Sequence, residues 1–134
     1  MKKFKSILLV DDDDTSNFIS EIIINKSSIT DSINTVKNGS EALSFVSNHC
    51  LKEMCDEACP NLIFLDLHMP VMDGFDFLNE LKEKMPNHSN CFKIYVLSSS
   101  NNPVDIDKAK EYNIEGYIIK PLNLEKIKEL QLAS

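Results

Sequence analysis

The sequence predicts an α/β domain in which a doubly wound, five-stranded parallel sheet is flanked by five helices. Two observations indicate this fold. Five short apolar runs alternate along the 134-residue chain with five segments whose apolar residues recur at helical spacing. The runs are rich in Ile, Leu and Val and show little polar alternation, which is typical of parallel strands buried on both faces. The crossovers between them are expected to be right-handed.

Local signals place each element along the chain. The strands are expected at residues 7–10, 33–36, 62–65, 94–97 and 116–119, and the third helix at 74–85. Capping residues and a proline mark the helix starts: Asp13, Asp14 or Thr15, then Asn38, Asp73, and Asn102 with Pro103. The apolar residues expected to face the core are Phe18, Ile19, Ile22 and Ile23; Ala42, Leu43 and Val46; Phe75, Leu78 and Leu81; Ile106, Ala109 and Tyr112; Leu124, Ile127 and Leu130.

Size and charge limit the possible functions. The chain, with 43% hydrophobic and 26% charged residues, is expected to form one domain over residues 1–134, with no output domain. Its net charge of −7 argues against direct binding of nucleic acid, because an acidic surface repels phosphates. No apolar run is long enough for a signal peptide or a membrane span, so we expect a cytoplasmic protein without membrane attachment.

The segment at about 49–61 has no clear period and is expected to form a long loop or a helix extension. It contains His49, Cys50, Cys55 and Cys59, which could supply four zinc ligands. Their spacing matches no common pattern of paired Cys-x-x-Cys knuckles. In a reducing cytoplasm we expect ordinary reduced thiols, and whether these residues bind a metal stays open.

Polar residues follow four of the predicted strands. Asp11 and Asp12 come after the first strand, Asp66 after the third, Ser98 after the fourth and Lys120 after the fifth. Parallel strands end at one edge of the sheet, where ligands bind in open α/β folds, so these side chains are expected to converge. A lone aspartate there could simply cap a helix, and a lone serine or Lys-Pro pair carries little information. Their combined positions are what indicate a site.

The chemistry of these groups predicts phosphoryl transfer. Three clustered carboxylates need a cation, and oxygen-only ligands suit Mg²⁺. Lys120 would neutralise phosphoryl oxygens, Ser98 would donate a hydrogen bond, and Asp66 would attack phosphorus.

These motifs resemble the receiver domain of two-component response regulators. The likeness covers essentially the whole chain and is carried by Val10-Asp11-Asp12, the run from Asp66 to Gly74, Leu97-Ser98-Ser99 and Tyr117 to Pro121. It implies the flavodoxin-like (βα)5 receiver fold. It further implies that Asp66 is the phosphoacceptor and that Ser98 and Lys120 contact the phosphoryl group. The implied Mg²⁺ ligands are Asp11, Asp12, Asp66 and the backbone carbonyl of His68, and the implied switch residues are Ser98 and Tyr117.

The resemblance also implies a function. A receiver takes a phosphoryl group from a sensor histidine kinase or a histidine phosphotransfer protein, in self-catalysed transfer followed by slow autodephosphorylation. It acts as a signalling domain rather than as an enzyme, and it passes the signal to a downstream protein, here unknown, through the face formed by the fourth helix, last strand and last helix. His68 and Ser100, each two residues beyond a site residue, are hypothesised to influence the rate of dephosphorylation.

Two other classes fit the sequence less well. An aspartate-nucleophile phosphohydrolase of the haloacid-dehalogenase type would carry a second aspartate where this chain has His68. A flavodoxin-like cofactor binder would need a phosphate-binding loop after the first strand, and the four consecutive aspartates at 11–14 would repel the phosphate of FMN.

Overall fold

The computed structural model describes residues 4–50, 59–88 and 91–133. It contains five strands and five helices that alternate along the chain. The strands are β1 (Ile7–Val10), β2 (Ile33–Val36), β3 (Leu62–Leu65), β4 (Lys93–Ser98) and β5 (Gly116–Ile119). The helices are α1 (Asp14–Ser27), α2 (Gly39–His49), α3 (Gly74–Lys84), α4 (Pro103–Ala109) and α5 (Leu124–Ala133). No helix among these residues is long and apolar enough to cross a membrane.

All five strands join one parallel sheet in the order β2-β1-β3-β4-β5, which confirms the predicted fold class. The strand order reverses at β1, so β1 and β3 are adjacent and their ends flank the topological switch point. β4 is longer than predicted by one residue at each end. The third helix ends at Lys84, one residue before the predicted Met85.

The central strand β3 packs against apolar layers on both faces of the sheet. Leu62 and Phe64 join one cluster of buried residues, whereas Ile63 and Leu65 join the cluster on the opposite face. Because successive side chains of a strand point to opposite faces, a strand buried on both sides needs the uninterrupted apolar run found here. This two-sided packing fixes the position of the residue that follows, Asp66.

The loops that enter the helices carry the capping groups that their sequence predicts. Asp13, rather than Asp14 or Thr15, caps α1 by accepting a 3.0 Å hydrogen bond from the amide of Thr15. Asn38 and Asn102 cap α2 and α4, and Pro103 occupies the first turn of α4. Asp73 and Asp76 form a reciprocal capping box at the start of α3.

The predicted core face of α1 is wrong. Phe18 is 65% exposed, Ile19 and Ile22 are also exposed, and Ile23 is only partly buried. The buried positions are Asn17, Ser20 and Ile24, which share one face at helical spacing. The reason is local: the first half of this face packs beside Asp11, and the side-chain amide of Asn17 donates a 2.9 Å hydrogen bond to the Asp11 carbonyl. Polar residues satisfy that polar strand end better than apolar ones would.

Four other predicted core positions are less buried than expected. Leu43 of α2, Ile106 of α4 and Tyr112 just after α4 are half-buried, and Leu124, at the first turn of α5, is exposed. Their helical neighbours Ala42, Val46, Ala109, Ile127 and Leu130 are buried as predicted.

The expectation of reduced cysteines is also wrong. Cys50, at the C-cap of α2, forms a disulfide with Cys59, just before β3, with a Cα–Cα distance of 5.1 Å. These two thiols are therefore not available as zinc ligands. Cys91 is disulfide-bonded as well, and no described cysteine is free. The prediction rested on the expected compartment, whereas the pairing follows from the fold, which brings the end of α2 beside the start of β3. Residues 51–58, and with them Cys55, lie outside the described residues.

The Cys50–Cys59 bridge should contribute measurably to stability. It closes a loop with a sequence separation of 9 residues, for which the loss of chain entropy in the unfolded state corresponds to about 2–3 kcal/mol. We expect the Cys50→Ala/Cys59→Ala protein to have a free energy of unfolding lower by about that amount than the oxidised wild type. Urea unfolding measures the difference.

Dithiothreitol provides the control for this prediction. The reductant should destabilise the wild type more than the double variant, because the variant has already lost this bridge. Equal sensitivity of the two proteins to reductant would contradict a stabilising role for Cys50–Cys59.

Candidate functional site

The four predicted polar strand ends meet at the carboxyl edge of the sheet. Backbone hydrogen bonds extend the strand ladders to each of them: Asp11 donates its amide to Val36 (3.1 Å) and Asp66 donates to Val10 (2.9 Å). The Lys120 amide likewise donates to the carbonyl of Ser98 at 2.9 Å. The parallel register thus places residues that are distant in sequence side by side.

Three carboxylates form a cluster at this edge. Oxygen atoms of Asp11, Asp12 and Asp66 all lie within 4.8 Å of one another. Asp11 and Asp66 are buried, with 5% and 7% of their surface exposed, whereas Asp12 is exposed to solvent. A buried pair of carboxylates beside a solvent-facing third is a donor set that suits a hard divalent cation retaining some of its water ligands. The residues present therefore fit Mg²⁺.

The ammonium group of Lys120 lies between the two buried carboxylates. Its Nζ donates to Oδ2 of Asp11 at 2.5 Å and lies 3.6 Å from Oδ2 of Asp66. Lys126 of α5 holds the surrounding backbone, because its Nζ donates to the carbonyls of Ile119 (2.6 Å) and Pro121 (2.9 Å). The Lys120–Pro121 peptide bond is cis.

Burial and neighbouring charges shift the pKa values of Asp66 and Lys120. Burial raises the pKa of Asp66, Lys120 lowers it and Asp11 raises it, so that the net shift is upward from the ordinary value of 3.8. For Lys120, burial lowers the pKa, but the hydrogen bond from Lys120 to Asp11 and the charges of Asp66 and Asp11 outweigh burial and raise it. The lysine is therefore held in its charged form, whereas ionised Asp66 is not fully compensated.

The loop after Asp66 is shaped to bring backbone groups against its carboxylate. The amide of Leu67 donates to Oδ1 at 2.8 Å, and the amide of His68 is a second backbone donor to the same carboxylate. Gly74 closes the loop by donating its amide to the Leu67 carbonyl at 3.0 Å. A Cβ atom at position 74 would lie 2.3 Å from the carbonyl oxygen of Asp66, so only glycine fits there.

Ser98 is fully buried at the end of β4, where its Oγ accepts a 3.2 Å hydrogen bond from the amide of Ser100. The hydroxyl proton of Ser98 is therefore still available for another acceptor. Tyr117 of β5 is half-buried and donates its hydroxyl to the carbonyl of Ser100 at 2.8 Å. The two predicted switch residues are thus linked through one residue of the β4–α4 loop.

The side chain of His68 is exposed and contacts α4 through a 3.0 Å contact between its Nε2 and Oδ2 of Asp105. Asp105, Asn17 and Lys126 are site neighbours that the sequence analysis missed. The positions of Asn17 and Ser20 at helical spacing were the available signal for α1, but apolar residues beside them gave the stronger pattern. Nothing in the sequence points to Asp105, because its partners belong to other elements.

Gly74 provides a test of how tightly the site is packed. Alanine is favoured over glycine within helices by up to about 1 kcal/mol, yet we expect Gly74→Ala to lower the free energy of unfolding by about 1–3 kcal/mol, because the added carbon must displace the Asp66 backbone. Urea unfolding measures the change, and Glu83→Ala on the exposed face of α3 is the matched control. An unchanged or increased stability of Gly74→Ala would contradict the close contact.

The raised pKa of Asp66 predicts how stability depends on pH when no metal is present. Between 3.8 and the higher folded pKa, the unfolded chain releases this proton before the folded protein does, so the group makes folding less favourable as pH rises. In EDTA at pH 7, Asp66→Asn should therefore be more stable than the wild type, and the difference should shrink at acidic pH. Thermal unfolding, with Asp107→Asn as control, measures this; an equal or lower midpoint for Asp66→Asn at pH 7 would contradict it.

Comparison with known proteins identifies the family. Residues 7–131 match the family model described as the response regulator receiver domain. A two-component response regulator from Cytophaga hutchinsonii is 28% identical with a TM-score of 0.86, covering 98% of this chain and 97% of that one. The Mn²⁺-bound form of response regulator Rcp1 is 28% identical with a TM-score of 0.70, covering 95% and 89%.

A third solved relative is the phosphorylated cyanobacterial phytochrome response regulator RcpA. It is 30% identical to this chain with a TM-score of 0.70, and the alignment covers 94% of this chain and 87% of that one. The sequence match and the sheet topology agree with each other. This chain belongs to the response regulator receiver domain family of two-component signal transduction.

Proposed function

We propose that this domain accepts a phosphoryl group on Asp66 from a sensor histidine kinase or a histidine phosphotransfer protein, in a reaction that requires Mg²⁺. The observation that carries the proposal is the packing of the Asp66 carboxylate beside Asp11, with the ammonium group of Lys120 in reach of both. Ionised Asp66 is not fully compensated, and it lies at the carboxyl edge of the sheet, where ligands bind in this class of fold.

The domain supplies the groups that this transfer needs. An oxygen of Asp66 forms a bond to phosphorus while the bond between phosphorus and the donor's imidazole nitrogen breaks, and the electron pair of that bond stays on the nitrogen. Lys120 neutralises charge on the phosphoryl oxygens, and the free hydroxyl proton of Ser98 is donated to one of them. The chain thus catalyses its own modification and acts as a signalling domain, not as an enzyme with an external substrate.

Asp11, Asp12 and Asp66, with the backbone carbonyl of His68, are the groups that would hold Mg²⁺. The metal would supply positive charge to a phosphoryl group and offset the repulsion among the three carboxylates. The Mn²⁺-bound form of the relative Rcp1 supports a divalent cation here, and the phosphorylated relative RcpA supports the modification itself.

Phosphorylation would then change the surface of the domain. The new group adds negative charge and strong acceptors near Ser98. The hydroxyl oxygen of Ser98 accepts a hydrogen bond from the amide of Ser100, and the carbonyl of Ser100 accepts one from Tyr117. Movement of Ser98 towards the phosphoryl group would disturb this connection and release Tyr117. The face formed by α4, β5 and α5 would carry the change to a downstream protein.

The exposed apolar side of α1 supports docking of the phosphodonor protein next to the site. A groove of about 260 Å³ runs between α1 and the β5–α5 loop, lined by residues that include Ile19 and Lys120. Phe18 and Ile22 are exposed on the same helix. A partner that covers these side chains would bring its phosphohistidine to the carboxyl edge of the sheet. We place this encounter in the cytoplasm, without contact to membrane or nucleic acid.

The direct test is the mass of the intact protein after incubation with acetyl phosphate and Mg²⁺. We expect one added phosphoryl group on the wild type and none on Asp66→Asn, because the carboxamide oxygen is a poor nucleophile. Chelation of Mg²⁺ with EDTA should also abolish the adduct, because the carboxylates and the phosphoryl group would then repel each other.

Asp76→Asn is a suitable control, since Asp76 lies on α3 outside the carboxylate cluster and is engaged in a cap. It should be modified like the wild type. An adduct that persists in Asp66→Asn would overturn the assignment of the phosphoacceptor, and an adduct that persists in EDTA would overturn the metal requirement.

A further inference from the structure

The β4–α4 loop is organised around Ser100. Its amide donates to Oγ of Ser98 (3.2 Å), its carbonyl accepts from Tyr117 (2.8 Å), and its own hydroxyl donates to Oδ2 of Asp105 at 2.7 Å. The amide of Asn102 completes the set by donating to the Ser100 hydroxyl oxygen at 3.3 Å. The single hydroxyl proton of Ser100 is therefore committed to Asp105.

The same oxygen of Asp105 also contacts His68, which lies in the loop between β3 and α3. The distance from Nε2 of His68 to Oδ2 of Asp105 is 3.0 Å. An ionised carboxylate can only accept, so the imidazole carries its proton on Nε2. The His68 ring is 60% exposed and the Asp105 side chain only 20%, which places this contact at the rim of the site. The carboxylate of Asp105 on α4 thus connects the loop that follows β3 with the loop that follows β4.

We propose that Asp105 is a positioning residue that prolongs the phosphorylated state by holding the Ser100 hydroxyl and the His68 imidazole away from Asp66. This inference rests on the proposed function. Both groups lie two residues beyond a site residue, and the backbone amide of His68 already touches the Asp66 carboxylate. Without the contacts to Asp105, either side chain can turn towards the phosphoryl group by rotation about its own bonds.

The step that Asp105 restrains is hydrolysis of the acyl phosphate. A water oxygen attacks phosphorus, the bond between phosphorus and the Asp66 oxygen breaks, and its electron pair returns to the carboxylate. Both protons of the water leave with inorganic phosphate, as H₂PO₄⁻, and Asp66 is released as the ionised carboxylate. A free hydroxyl or imidazole beside the phosphoryl group can hydrogen-bond the attacking water and orient it, which accelerates the step. Both groups are engaged with Asp105 in this structure and are not free to do so.

The test is the half-life of the phosphorylated protein after removal of acetyl phosphate, followed by intact mass. We expect Asp105→Ala to shorten the half-life about threefold or more, the factor expected when hydrogen bonds of ordinary strength are lost. Asp107→Ala, on the same helix and exposed, should leave it unchanged. Asp105→Asn keeps one acceptor oxygen, with two lone-pair sites in place of the four of the carboxylate, and loses the negative charge, so we expect an intermediate half-life.

A double-mutant comparison separates positioning from general loosening of the loop. If Asp105 acts through Ser100 and His68, Asp105→Ala should have no further effect in the Ser100→Ala/His68→Ala background. An undiminished effect in that background would overturn the proposal. So would equal half-lives of the wild type and Asp105→Ala.

The unphosphorylated protein gives a second readout. Because the Tyr117 hydroxyl donates to Ser100, the ring resonances of Tyr117 in nuclear magnetic resonance spectra should shift in Asp105→Ala and not in Asp107→Ala. Unshifted resonances would show that the contacts to Asp105 do not fix the conformation of the β4–α4 loop. Absence of any adduct on the wild type would overturn the proposed function, whereas an adduct with unchanged half-lives would overturn only the role of Asp105.

Discussion

Repulsion between two buried carboxylates is the constraint on which the rest of the structure depends. Asp11 and Asp66 lie at adjacent strand ends, and burial makes their charges costly unless a cation is near. Lys120 supplies that cation from a strand that is not a neighbour of either. Lys126 of α5, in turn, fixes the backbone on either side of Lys120, because its Nζ donates to the carbonyls of Ile119 and Pro121. Lys120 therefore offsets only part of this repulsion, and the pKa of Asp66 stays above its ordinary value.

Much of the fold and of the candidate site could be predicted because both follow from the regular alternation of apolar strands and helices along the chain. Parallel strands end at one edge, so Asp11, Asp66, Ser98 and Lys120 could be grouped from their positions after apolar runs alone. The strand ladders and the shared carboxylate cluster agree with that grouping. Their chemical roles remain proposals, because proximity and charge define what a site can do and do not by themselves show what it does.

What could not be predicted depends on contacts between distant parts of the chain. α1 carries one apolar and one polar stripe, and a pattern of residue types cannot say that the polar stripe faces a strand end with carbonyls and carboxylates to satisfy. Asp105 contacts His68 across 37 residues and shares no motif with it. The pairing of Cys50 with Cys59 likewise depends on where α2 ends relative to β3, which is a property of the folded domain.

Because Cys50 and Cys59 form a disulfide, the covalent structure of the protein in a sample depends on whether that sample has been reduced or oxidised. A preparation kept in reductant and a preparation oxidised in air differ in covalent connectivity just before the start of β3. Asp66 follows the other end of this strand. Kinetic values obtained from the reduced and the oxidised preparation therefore describe two different covalent species. Mass spectrometry of alkylated thiols therefore belongs beside every rate measured on this domain, so that each number is attached to a defined species.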